Sequence, residues 1–247
     1  MWECKISVEA CSLLRHKDNI IAPVWLSNTI QVISSQSGKL VKTVTLPEHI
    51  KCCSIKHLTE TELVLSAEDG LYMLDVDTLN VKYKLFDGRF GEGLYINNGE
   101  VIALRRDSNE VVQLVCLLGS RIVEYNIIKV QGGGKFGWGD TVIKYNDKLY
   151  VGGWGSNKVH VYNSVTGAVL NVYAVKHPII LSVDTQGAVI CCQGWDTKCI
   201  SVLGTSGQWS YKVIDKIQCG GYIRAADITD KQLYICTGHH ILCVTLQ

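Results

Sequence analysis

Seven oxygen-bearing side chains, Glu68, Asp69, Asp107, Asn109, Asn157, Asp196 and Asp227, fall where strand-like runs give way to polar turns. Carboxylate and amide oxygens are the ligands of calcium, which takes about 6 to 8 of them, and an ion so held could polarise an ester or lactone carbonyl for hydrolysis. Asp and Asn are also the residues that turns select, because their side chains bond nearby backbone. A calcium-dependent hydrolase is therefore an alternative and not the leading reading. Gly132-Gly-Gly-Lys-Phe-Gly137 has the glycine content of a phosphate loop. Lys135 is not followed by Ser or Thr, however, and no helical pattern comes after it, so the segment reads as a connection between structural units. His239-His240 sits at an expected strand-to-strand turn, where neighbouring side chains diverge, and reads as a solvated turn. No Gly-x-Ser-x-Gly elbow occurs, and no Ser, Cys or His is marked by its context as a nucleophile. The expectation is a non-catalytic chain with no cofactor and no metal.

Four segments invite a different chemistry. Trp25-Leu-Ser-Asn-Thr-Ile-Gln-Val32, Arg106-Asp-Ser-Asn-Glu-Val-Val-Gln113, Trp154-Gly-Ser-Asn-Lys-Val-His-Val161 and Trp195-Asp-Thr-Lys-Cys-Ile-Ser-Val202 superpose with Trp, Arg, Trp and Trp in one column. Asn28, Asn109 and Asn157 share a second column. Trp and Arg dominate the energetics of protein interfaces, and Arg105, Lys158 and Lys198 flank the column. The candidate binding face is thus Trp25, Asn28, Arg105, Arg106, Asn109, Trp154, Asn157, Lys158, Trp195 and Lys198. A large side chain at one place in every repeat has a second use, as a wedge buried between neighbouring units. Exposed Trp rings would also stack the bases of single-stranded RNA at about 1–3 kcal/mol each, or sugar rings. The net charge of +1, from 24 basic and 23 acidic residues, provides no global field for phosphates. A protein partner therefore leads, RNA is second and a glycan is the weakest alternative.

The elements that must position this column follow from its spacing. The four positions lie two, one and one copies apart in a unit of about 40 to 48 residues, which is the signature of a β-propeller. Each unit contains two central strands, a polar hairpin turn and an outer strand, with a start-to-start spacing near 10 residues across the hairpin. Gly38, Gly119, Gly167 and Gly207 occupy the turn where positive φ is needed. The units are expected over about 11–47, 48–88, 89–131, 132–176, 177–218 and 219–247. The last lacks a strand. Residues 2–8 alternate, and they are expected to pair beside 241–246, completing the last blade and removing two open edges. The expected fold is all-β: one six-bladed β-propeller of four-stranded blades over 1–247, ring-closed by the N-terminal strand and monomeric.

Composition agrees with a globular domain, since 47% of residues are hydrophobic and only three are proline. Eleven cysteines, an odd number with no Cys-x-x-Cys, exclude complete internal pairing and the usual zinc spacing. The adjacent pairs Cys52-Cys53 and Cys191-Cys192 would point to opposite faces of their strands. They read as reduced apolar residues of a cytoplasmic protein. No apolar run of membrane-spanning length and no basic stretch leading into an apolar core is found, so neither a membrane span nor a signal peptide is expected.

The segment Asn157-Lys-Val-His-Val-Tyr-Asn-Ser-Val-Thr-Gly167, echoed by Asn28-Thr-Ile-Gln-Val-Ile-Ser-Ser-Gln-Ser-Gly38, resembles the strand-turn consensus of NHL repeats, which form the six-bladed propellers at the C-terminus of tripartite-motif (TRIM) proteins. The resemblance implies the propeller alone, with one face that docks protein or single-stranded RNA and no ubiquitin-ligase chemistry. Leu149-Tyr-Val-Gly-Gly-Trp154 with Val161-Tyr-Asn-Ser-Val-Thr166 is similar to a kelch repeat, the second choice. WD40 lettering fits less well, because Trp195-Asp196 lies at a strand exit with no upstream Gly-His.

Overall fold

The computed structural model describes residues 2–5, 9–116, 122–183, 189–193, 199–203, 209–214, 223–228, 232–237 and 240–245. Among these every regular element is a β-strand, and the strands form six four-stranded antiparallel sheets. The chain begins with β1 (Trp2–Lys5). The first sheet is β2 (Leu14–His16), β3 (Asn19–Pro23), β4 (Thr29–Ser34) and β5 (Leu40–Thr45); the second is β6 (Cys52–His57), β7 (Glu62–Ala67), β8 (Gly70–Asp75) and β9 (Val81–Asp87). The third is β10 (Phe90–Asn97), β11 (Glu100–Arg105), β12 (Glu110–Cys116) and β13 (Ile122–Lys129); the fourth is β14 (Thr141–Tyr145), β15 (Lys148–Gly153), β16 (Lys158–Asn163) and β17 (Val169–Ala174). The fifth is β18 (Pro178–Val183), β19 (Val189–Gln193), β20 (Cys199–Leu203) and β21 (Trp209–Ile214). The sixth joins β22 (Ile223–Ile228), β23 (Gln232–Thr237) and β24 (His240–Thr245) to β1, in the order β1-β24-β23-β22. Trp2 lies opposite Cys243 and Lys5 opposite His240.

Alternation along the central strands sends successive side chains to two different neighbours. In β7, Leu63 and Leu65 pack with Ile21, Ile30 and Val32 of the first sheet. Val64, between them, packs with Val101 and Val112 of the third. In β16, Val159 and Val161 face Ile180 and Val189 of the fifth sheet, whereas Tyr162 faces Ile102 and Leu104 of the third. With both faces covered, β7 is buried at every position. The outer strands have only one neighbour within their sheet and are largely exposed, with charged residues in Val81-Lys-Tyr-Lys-Leu-Phe-Asp87 and apolar ones in Val169-Leu-Asn-Val-Tyr-Ala174. Buried Ala10, Leu13, Ile20 and Ile33 of the first sheet and its approach meet Tyr234, Cys236, Ile241 and Cys243 of the sixth.

The hairpins into the outer strands share one geometry. Gly38 and Gly167 adopt φ of 68° and 69°, and each donates its N–H to the residue four positions earlier, Ser34 and Asn163. In the second sheet the same place is held by Leu79 at φ 62°, whose side chain enters the core. The turns are set by a side chain at the same point: Asn163 Oδ1 accepts from Val165 and Thr166 N–H, and Asp75 Oδ1 from Thr78 N–H at 2.9 Å. A register shift follows in the third-to-fourth strand pair of the first five sheets, at Val32/Ile33, Met73/Leu74, Val115/Cys116, Val161/Tyr162 and Val202/Leu203. Such bulges raise local twist, which lets neighbouring sheets fan apart toward their outer strands. Gly119 and Gly207 lie outside the described residues.

Two outcomes test this architecture. Ile20→Ala, at the contact of the first and sixth sheets, should cost about 2–5 kcal/mol and lower the melting temperature by about 2–4 °C per kcal/mol. Deleting residues 1–9 removes the partner of β24 and should lower the melting temperature sharply in the same calorimetric scan; an unchanged value would sink the pairing of β1.

Candidate binding face

In an antiparallel meander, the hairpin between the second and third strands and the connection to the next sheet emerge at the same end. That end gathers the hairpins around 24–28, 68–69, 106–109 and 154–157 with the connections 46–51, 88–89, 130–140 and 175–177. Backbone bonds weld them together: Cys52 N–H to Ser27 O at 2.8 Å, Arg106 N–H to Arg89 O at 2.8 Å and Phe136 N–H to Ser108 O at 2.7 Å. The Asn column does this joining. Asn28 and Asn109 donate their amides to the carbonyls of Leu46 and Val130, each at 2.9 Å, and Asn157 Oδ1 accepts from His177 N–H at 2.9 Å. Three of the expected face residues thus fasten each hairpin to the exit of its own sheet.

The Trp/Arg column does gather at this end, but its members differ in availability. Trp25 is half-buried and meets Trp138 edge-on, with ring centroids 6.3 Å apart. Arg106 is 6% exposed; its guanidinium lies over the Trp138 ring at 3.6 Å, within cation–π range. It also bonds Glu68 and Asp107, both at 3.2 Å. Arg106 is therefore a buried support beneath Trp138 and not a free contact residue. Arg105 pairs with Glu110 at 2.9 Å, and Arg89 pairs with Asp107 at 2.9 Å while remaining well exposed. Trp154 is half-buried and packs on His177 at 4.9 Å, and Lys158 is exposed. Trp195, Lys198, Asp196 and His239 lie outside the described residues. His240 opens β24, opposite both Thr237 and Lys5, and so belongs to a strand and not to a solvated turn.

Sequence reasoning missed Trp138, Arg89, Asp140 and His177, all on sheet-to-sheet connections outside the aligned column. Asp140, 7% exposed, organises the longest of these connections by accepting Gly137 N–H at 2.8 Å and Trp154 N–H at 2.9 Å. Burial holds its carboxyl above the usual range despite both bonds. The glycine-rich segment is this same connection. Gly132 and Gly134 adopt φ of 72° and 76°, and a Cβ on Gly133 would collide with Tyr162 Oη, so the glycines answer to backbone shape and close approach. Of the calcium-type side chains, Glu68 and Asp107 are held by Arg106. Asp69 accepts from Tyr72 Oη at 2.5 Å with Lys84 at 3.5 Å. No group of three or more His, Cys, Asp or Glu is placed to hold a metal among the described residues.

The raised carboxyl of Asp140 has a signed consequence. A native state that holds its proton to higher pH than the unfolded chain loses stability as pH rises from the unfolded value, 3.8. The stability gap between the wild type and Asp140→Asn should therefore favour the wild type most below that pH and shrink as pH rises through the native value. Denaturant titrations across acidic pH measure it, and a gap that widens with pH would contradict the burial of this carboxylate.

No protein-family profile and no curated protein sequence matches the chain. Solved structures do. A protein of unknown function from Bacteroides caccae superposes with a TM-score of 0.67 at 16% identity, over 85% of this chain and 79% of that one. A chain in the crystal structure of the Mitotic Checkpoint Complex gives 0.67 at 12% identity, over 99% and 90%. The WD40 β-propeller domain of Doa1 gives 0.64 at 10% identity, over 100% and 96%. At these identities the likeness carries architecture alone, and with the six sheets above it makes the chain a β-propeller.

Proposed function

We propose that the chain is a non-catalytic, six-bladed propeller that docks protein partners through the loop face holding Trp25, Trp138 and Trp154. The observation that carries this reading is the supported aromatic surface. Trp138 is braced from below by buried Arg106 and from the side by Trp25, and exposed Arg89 and Lys158 lie at the same end of the sheets. Rigid aromatic rings with a charged rim are the composition of interface hot spots. The pairing of β1 with β24 and the packing of the sixth sheet on the first support a closed ring, in which no sheet face is left for another role. A propeller of similar shape belongs to a multiprotein assembly, the Mitotic Checkpoint Complex. Cys11, Cys52, Cys53, Cys116, Cys191, Cys192, Cys236 and Cys243 are buried and joined in no disulfide, which favours a reducing, cytoplasmic setting.

Affinity capture from cell lysate tests the reading, with the wild type compared against an Arg89→Glu, Trp138→Ala, Lys158→Glu variant whose melting curve confirms folding. Partners should persist through ribonuclease and fall at least tenfold with the variant. Capture that disappears with ribonuclease would replace the reading by RNA binding. Chelator-sensitive turnover of esters or lactones by the purified chain would replace it by hydrolysis.

A further inference from the structure

Between the 130–140 connection and the 153–158 hairpin lies a cavity of about 150 Å³, on the order of the space that takes a benzene-sized molecule. Phe136, His160 and Tyr162 line it with Asp140, and Gly137, Gly153 and Gly155 open its walls. His160 and Tyr162 stack at 5.7 Å with rings nearly parallel. Burial and the nearby Lys158 push the imidazole toward its neutral form. The charge fixed in the wall is Asp140, which has no ion-pair partner among the described residues. Each of its oxygens accepts one backbone N–H, and a carboxylate oxygen has capacity for two such bonds. Acceptor capacity therefore remains on the carboxylate, in a residue that lines the cavity. A buried charge is ordinarily paired, and here the space beside it is open. Lys135 borders the mouth but is exposed, where solvent and salt screen its charge.

We propose that this cavity receives a guanidinium group, the side chain of an arginine on the docked partner, with Asp140 as counter-ion and the aromatic rings as walls. Guanidinium fits better than ammonium because it is planar, stacks on aromatic faces and is more weakly hydrated, so it enters a buried site at lower desolvation cost. That a polypeptide carries the arginine rests on the docking reading above; the preference for this cation rests on the cavity alone.

The test is a titration of the isotope-labelled full chain with N-acetyl-arginine amide, with N-acetyl-norleucine amide and N-acetyl-glutamate amide as controls, following the amide resonances of Gly137 and Trp154. Saturable shifts with the arginine amide alone are expected. They should weaken at least tenfold in Asp140→Asn and in Gly155→Leu. The second variant keeps the test sound if the first fails to fold, because a Cβ on Gly155 meets no atom within 4 Å and a leucine there fills the mouth. Absence of saturation, equal or stronger binding of the glutamate amide, or wild-type binding by folded Gly155→Leu would each overturn the proposal. Arginine-amide binding without partner capture would retire the docking reading and leave the cavity assignment standing; the reverse would remove the cavity and keep the face.

Discussion

Central strands such as β7 and β16 bury side chains on both sides, and covering both sides is the requirement from which the arrangement follows. A sheet with such strands has no solvent face to offer there and packs against a neighbour on either side. Leu63 and Leu65 turn one way from β7 and Val64 the other, and β16 divides its side chains in the same manner between the third and fifth sheets. The outer strands escape the requirement, and polar and apolar side chains alike are exposed along them. Bulges beside the outer strands of the first five sheets add the twist that a fan of sheets needs.

Since the sheet faces are consumed by packing, polar chemistry is confined to the ends of the strands. One end is knit into a continuous surface by the Asn28, Asn109 and Asn157 bonds and by the backbone bonds between hairpins and connections. On that surface the charged groups serve in part to hold aromatic rings: Arg106 sits between Glu68, Asp107 and the Trp138 face. A ring held from below and from the side loses little freedom on contact with another molecule, which is what makes such a position effective in recognition.

The hairpins were legible because their determinants are local. Positive φ at Gly38 and Gly167 and a turn-forming side chain four residues earlier are written within single segments, and the column of Trp25, Arg106 and Trp154 marks the same point of each sheet. What stayed hidden depends on contacts distant in sequence. Trp138 lies on a connection much longer than those at 46–51 or 88–89, so no alignment of equal repeats brings it into register. The burial of Arg106 follows from Glu68, a residue of the preceding sheet. The Asn column had a structural meaning, since an amide that repeats in three sheets fastens each hairpin as readily as it would a ligand. The NHL-like segments fall on the strand-turn units of the first and fourth sheets, where many propellers must solve the same turn, and that shared constraint is why they do not single out a family.

The cysteines are distributed over these interfaces with a regularity that composition alone would not suggest. Cys52 lies in the core between the first and second sheets, Cys116 between the second and third, Cys191 between the fourth and fifth, and Cys236 and Cys243 where the sixth meets the first. Burial raises the Cys52 thiol to about 12 and pushes Cys11 and Cys53 upward as well, so at these sulfurs almost no thiolate exists to react in the folded chain. Alkylation then has to wait for an interface to open, and its rate at each sulfur reads the local opening equilibrium. The chain thus carries its own set of clocks, distributed around the molecule, by which the order and free energy of blade separation can be timed without any introduced label.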